Sequence, residues 1–119
     1  MIAQLPTVAP DADYPAFLKA LHDSGFRGQI SADYGTRTVL ATDNSIYQRL
    51  PQAAVFPLDA DDVARVATLM GESRFQAIKL PPRGGGTGTN GQSLTDGVVV
   101  DLSRHMNGIL EINACLLYT

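Results

Sequence analysis

The stretch "AAVFPLDADDVARVATLMGES", residues 53–73, holds two different periods side by side. Ala53 to Phe56 is a short unbroken apolar run closed by Pro57, the pattern of a strand that ends at a turn. From there the spacing becomes helical. Asp59 or Asp61 is placed to cap the helix and puts negative charge in its first turn, where the helix dipole favours it. Val63, Val66, Ala67 and Met70 recur at helical spacing and are expected to face a sheet. Downstream, "AIKL" and "GVVVDL" read as two more strands, and "GILEIN" as a fourth, joined through the turn "SRHMNG". The first two strands, linked by a helix, should run parallel through a right-handed crossover. The expected fold is α+β (α/β), a small mixed sheet with one strand–helix–strand unit and flanking helices.

Upstream the signals are weaker. Residues 1–12, with Pro6 and Pro10, read as an arm. "DADYPAFLKALHDSGF" predicts a helix capped by Asp13, with Phe17, Leu18 and Leu21 as its apolar stripe and Gly25 placed to end it. In "SADYGTRTVLATDNSIYQRLP", Ser31 is a candidate cap for one or two short helical turns, and "TDNS" reads as a turn.

The chain has 119 residues, 45% of them apolar and 18% charged, with a net charge of −3. These numbers fit one small globular domain, and they argue against general nucleic-acid or anionic-membrane binding, which needs basic excess. No window is apolar for long enough to span a bilayer, and the N-terminus shows no secretory pattern. Cys115 is the single cysteine, so neither an internal disulfide nor a cysteine-built zinc site is expected, and a cytoplasmic setting follows.

"PPRGGGTGTNG", residues 81–91, is the densest chemical signal. Gly86 and Gly91 have the separation of a Walker loop, but Gln92 stands where its lysine must be, so the mechanism fails. Gly86, Gly88 and Gly91 meet the dinucleotide fingerprint literally. That motif requires a helix opening inside it, and "QSLTDG" leaves no room for one before the next strand. What survives is an anion-binding nest of backbone amides, unobstructed by Cβ atoms. Thr87, Thr89 and Asn90 add short donors and Arg83 adds charge at the entrance, a set that suits a diphosphate. A flexible connection without a ligand is the alternative, and the flanking strands favour the binding loop.

"AAVFPLDADDVARVATLM", "IKLPPRGGGTGTNG" and "GVVVDLSRHMNGILEIN" together resemble the FAD-binding domain of the FAD-linked oxidases, the flavoproteins related to vanillyl-alcohol oxidase and p-cresol methylhydroxylase. With "YGTRTVLATDNSIYQRLP" the chain is similar to the bacterial D-lactate and D-2-hydroxyglutarate dehydrogenase branch, especially its large form with a C-terminal iron–sulfur region. The resemblance covers residues 34–113. It implies residues 53–113 as the first of two FAD-binding subdomains, preceded by the arm and helices of residues 1–52. It also implies a pyrophosphate site at Arg83, Gly84, Gly85, Gly86, Thr87, Gly88, Thr89, Asn90 and Gly91. Some relatives attach the flavin through a histidine where Thr87 stands here, so non-covalent FAD is implied.

After "EIN" the family continues into a second subdomain, a substrate cap and the catalytic residues, whereas residues 114–119 read "ACLLYT" and match none of that. A truncated, frameshifted or fragment chain is therefore expected, catalytically inactive alone, with no catalytic residue to assign. Its parent is expected to be an FAD-dependent dehydrogenase acting on the CH–OH group of a small 2-hydroxy acid. Two other readings stand beside this one: a non-enzymatic nucleotide- or anion-binding module, and a domain that self-associates through an exposed apolar edge.

The remaining polar candidates have plain structural explanations. His22 sits near the C-terminal end of the first helix, and His105 in a turn beside Arg104; neither has a partner at metal spacing. Asp59, Asp61 and Asp62 suit helix capping. Asp43, Ser45 and Tyr47 match the branch signature but read locally as an Asx-type turn capping a short helix. Ser103 and Asn107 are candidate donors to the flavin edge or residues closing a turn.

Overall fold

A computed structural model of the protein describes residues 13–117. Helix α1 (Tyr14–Asp23) begins where the Asp13 carboxylate accepts the Ala16 N–H at 3.0 Å, and it ends at Ser24 and Gly25. Strand β1 (Gln29–Ser31) and helix α2 (Tyr34–Val39) follow, then β2 (Ala53–Phe56), α3 (Ala60–Met70), a 3-10 turn (Ser73–Phe75), β3 (Pro82–Arg83) and β4 (Val98–Asp101). The sheet order is β1-β2-β4-β3. β1 is antiparallel to β2, whereas β2 and β3 each run parallel to β4.

The sheet is covered on both faces, which is why β2 and β4 read as continuous apolar runs rather than alternating ones. Ala53 and Val55 of β2, with Val98 and Val100 of β4, face α1 and α3 and join Phe17, Leu21, Val66, Leu69, Phe75 and Ile78 in the main core. Phe17 and Phe75 meet edge to face with ring centroids 5.2 Å apart. Ala54, Phe56 and Val99 point the other way and pack with Leu40.

Several expectations need correction. Three residues of β1 are too few to carry a period, and only the pairing of Gln29 with Phe56 and Ser31 with Ala54 makes them a strand. Ser31 is not the cap of α2. Asp33 is, accepting the Thr36 N–H at 2.9 Å, while the Ser31 hydroxyl donates to its carboxylate. The "AIKL" segment is not a strand. Lys79 and Pro81 offer their carbonyls to Val98 and Val100 at 2.9 and 3.0 Å, but the ladder forms only at Pro82–Arg83. Two successive prolines without N–H groups keep this stretch at the sheet edge. Strand β4 lies between β2 and β3, so those two are parallel without being neighbours.

The "GILEIN" segment forms no strand either. Ile109, Leu110 and Ile112 are exposed and pair with none of the four strands, so the local apolar pattern alone does not make them a strand. In α3 the buried stripe is Asp62, Val66 and Leu69, with Ala67 and Met70 outside it. The Asp62 carboxylate turns inward because it accepts the Arg27 and Leu58 amides at 3.1 and 3.0 Å and the Arg65 guanidinium at 3.0 Å.

Candidate flavin-binding loop

Because β3 and β4 are parallel, the chain must return the length of a strand between them, and residues 84–97 do so without a helix. The glycines therefore emerge at the carboxyl end of β3, the edge of an open α/β sheet where ligands gather. Of the predicted set, Gly84 through Gly91 lie on this one crossover and Arg83 is the last residue of β3 leading into it.

Arg83 is buried, and its guanidinium turns under the loop instead of standing at its mouth. Its Nη2 donates to the Thr42 carbonyl at 2.9 Å and its Nη1 reaches the Leu40 carbonyl at 3.5 Å. Gly86 lies on this side chain with φ of +71°, and a Cβ there would stand 2.3 Å from Arg83 Nη2. Gly91, with φ of +75°, packs on the Tyr47 ring, 3.2 Å from where its Cβ would be. These two positions require glycine for the loop's own path. Gly84 is different: a Cβ there would meet no atom within 4 Å, so nothing within the chain forbids a side chain.

Among the described residues, the backbone amides of Gly84 to Thr89 donate to no protein acceptor. Asn90 differs, since its amide donates to Gln92 Oε1 at 3.0 Å. The residue standing in place of the Walker lysine thus folds back onto the loop itself. On the far side of the loop the Ser93 hydroxyl is buried with no partner among the described residues. Free amides, a bare glycine surface and a nearby positive charge fit a diphosphate group, with no bulky side chain in the way.

The floor of the loop is a hairpin that the sequence reading underrated. Thr42 bridges Gln48, Asp43 Oδ1 accepts the Ser45 N–H at 2.7 Å, and Ser45 Oγ accepts the Tyr47 N–H at 3.1 Å. The Asx turn is present, but no helix follows it. Asn44, which sequence reasoning missed, donates its N–H to the Gly88 carbonyl at 3.1 Å. The turn signal at "TDNS" located it, but the contact spans 44 to 88 and has no local trace. The Ser45 hydroxyl, joined by the charge of Arg83, holds the Asp43 carboxyl below its ordinary range against the opposing effect of burial.

The other candidates lie elsewhere. His22 is in the last turn of α1. His105 Nε2 and Arg104 Nη1 both meet Gln29 Oε1 at 3.1 Å, and the Arg104 guanidinium stacks 3.7 Å over Phe56. The Ser103 N–H and hydroxyl both donate to Asp101 Oδ1, at 2.9 and 2.7 Å, which closes the turn after β4. Asn107 is exposed. Asp59 caps α3 and pairs with Arg27. An open cleft of about 300 Å³ between α2 and Arg104 contains none of the loop residues. Among the described residues no helix is long and apolar enough to cross a membrane.

Residues 51–118 match the model of a protein family described as the FAD binding domain. The chain belongs to this family. The glycine loop is thereby part of an FAD binding domain, and FAD is the cofactor of that domain. A D-2-hydroxyglutarate dehydrogenase of Pseudomonas putida is 88% identical over 113 residues, which cover 95% of this chain and 11% of that protein. One of Pantoea ananatis is 57% identical over 97 residues, covering 82% of this chain and 10% of its own length. The chain thus spans about a tenth of the length of these relatives. Among solved structures, alkyldihydroxyacetonephosphate synthase superposes with a TM-score of 0.66 at 21% identity, over 94% of this chain and 24% of that one. At that identity the likeness shows a shared fold alone.

Proposed function

We propose that this chain is one part of a flavin-dependent D-2-hydroxyacid dehydrogenase, in which residues 83–91 hold the FAD pyrophosphate. The observation that carries the reading is the run of unengaged amides from Gly84 to Thr89 at the carboxyl end of a parallel strand pair. Gly84 and Gly85 let the backbone approach the phosphates, Thr87 and Thr89 offer exposed hydroxyls beside them, and Arg83 contributes its charge from beneath. Residues 53–113 form the first FAD-binding subdomain in this reading, with residues 1–52 as a flanking segment and 114–119 as a divergent tail. Thr87 carries no imidazole, so the flavin is held without a covalent bond.

FAD, when bound, supplies the ring that accepts a hydride from the substrate carbon bearing the hydroxyl group. This chain's own residues bind and orient its diphosphate, and the substrate and the base that takes its proton are met elsewhere in the longer protein. The identity to D-2-hydroxyglutarate dehydrogenases supports a D-2-hydroxy dicarboxylic acid as substrate. The exposed Ile109, Leu110 and Ile112 are covered in the longer protein or, in the isolated chain, drive self-association. The exposed thiol of Cys115 suits the cytoplasm. The test is anaerobic mixing of the purified longer protein with D-2-hydroxyglutarate. The flavin absorbance near ~450 nm should bleach, and a colourless protein, or a flavin that stays oxidised with every D-2-hydroxy acid, overturns the reading.

A further inference from the structure

The hairpin of residues 42–48 contains "TDNSIY", with the branch signature at Asp43, Ser45 and Tyr47, yet none of its side chains is among the residues read as phosphate donors. We propose that Asn44 and Asp43 are positioning residues that set the peptide planes of the glycine loop, so that the amides of Gly88 and Thr89 face the diphosphate. The proposal rests on the reading of residues 83–91 as the pyrophosphate loop.

In a planar trans peptide the carbonyl and the following N–H point in opposite directions. The Gly88 carbonyl is drawn down by the Asn44 N–H at 3.1 Å, which turns the Thr89 N–H up. The Thr87 carbonyl lies 3.5 Å from Asn44 Nδ2, so the same residue biases the Gly88 N–H the same way. A glycine-rich segment has no side chains to fix these planes, and left alone it would sample both faces. Order must come from outside the loop.

Asn44 can supply it because its own position is fixed twice. Asp43 Oδ1 accepts the Ser45 amide and Ser45 Oγ the Tyr47 amide, so the turn presenting the Asn44 N–H is closed by side chains. Arg83 then ties the root of the loop to this hairpin through the Thr42 carbonyl at 2.9 Å. The Ser45 hydroxyl stabilises the Asp43 charge, and the same guanidinium adds to that effect. Hairpin and loop form one preorganised unit, 41 residues apart at the Arg83–Thr42 contact.

The experiment uses the longer flavoprotein, stripped of flavin and titrated with FAD by fluorescence, with thermal unfolding of each apo-protein alongside. Asn44→Pro deletes the N–H that holds Gly88, and Asp43→Ala deletes the acceptor that shapes the turn. Each should raise the FAD dissociation constant roughly tenfold, the effect of losing one or two well-aimed charge-assisted hydrogen bonds. Asp43→Asn keeps an oxygen acceptor and should stay within about threefold of the unchanged protein, with all apo-proteins unfolding within a few degrees of one another. If the three variants bind FAD like the parent, the inference fails while the loop assignment stands. It fails equally if Asp43→Asn is as weak as Asp43→Ala, or if binding and apo-protein stability fall together. A parent protein that takes up no FAD removes the loop assignment and this inference with it.

Discussion

At the scale of single residues, the glycines of the loop divide into two kinds. Gly86 and Gly91 satisfy the chain, since both have positive φ and both lie against a side chain. Gly86→Ala forces a Cβ toward Arg83 Nη2 and holds alanine in a left-handed conformation, so it should lower stability by about 1–3 kcal/mol in urea unfolding. Gly84 satisfies no internal demand, so a side chain there is expected to leave the fold intact and to meet only the ligand. Sequence alone separated neither kind, because both depend on what lies within a few ångströms across the fold. It placed Arg83 at the loop entrance; the structure places its charge beneath, engaged with carbonyls some forty positions upstream. The identities of the loop residues were readable, and the direction each one faces was not.

At the scale of elements, the sequence located β2 and β4 as unbroken apolar runs bounded by turn residues, and α3 by its helical period. It misplaced β3 and missed β1, whose two and three residues become strands only through their partners. The stripe of α3 was misread because Asp62 is polar in sequence and buried in fact, held by amide and guanidinium donors that outweigh its desolvation. Asp62→Ala leaves the part-buried Arg27 and Leu58 amides without their acceptor and should cost about 1–3 kcal/mol, measured as a lowered unfolding midpoint.

Helix α2 offers a pH test. The Ser31 hydroxyl, with the Thr36 amide and hydroxyl, pulls Asp33 from an ordinary value of 3.8 to about 2. A folded-state pKa below the unfolded one means that the cap's contribution is complete above the unfolded value. It is lost as the pH falls through the folded one. Carboxyl-carbon NMR should therefore find Asp33 titrating near 2, and Asp33→Ala should remove that share of the acid sensitivity between the two values. A midpoint at the ordinary value would contradict the cap geometry.

At the scale of the whole molecule, the sheet and its two apolar faces form a unit that delivers one loop at the carboxyl end of β3 and β4. The family was legible in the sequence because glycines, prolines and strand apolar runs recur there in fixed order. The anchoring of the loop by a hairpin distant in sequence was not legible, since no local pattern encodes it. The proposed role of this unit is to hold the diphosphate of FAD with backbone amides. Its most direct test is FAD titration of the flavin-free longer protein with and without Gly84→Val. Valine at an open position of non-positive φ should leave the unfolding temperature unchanged and raise the FAD dissociation constant at least ~10-fold by blocking the approach of phosphate to the amides. Unchanged FAD affinity in that variant would contradict the account.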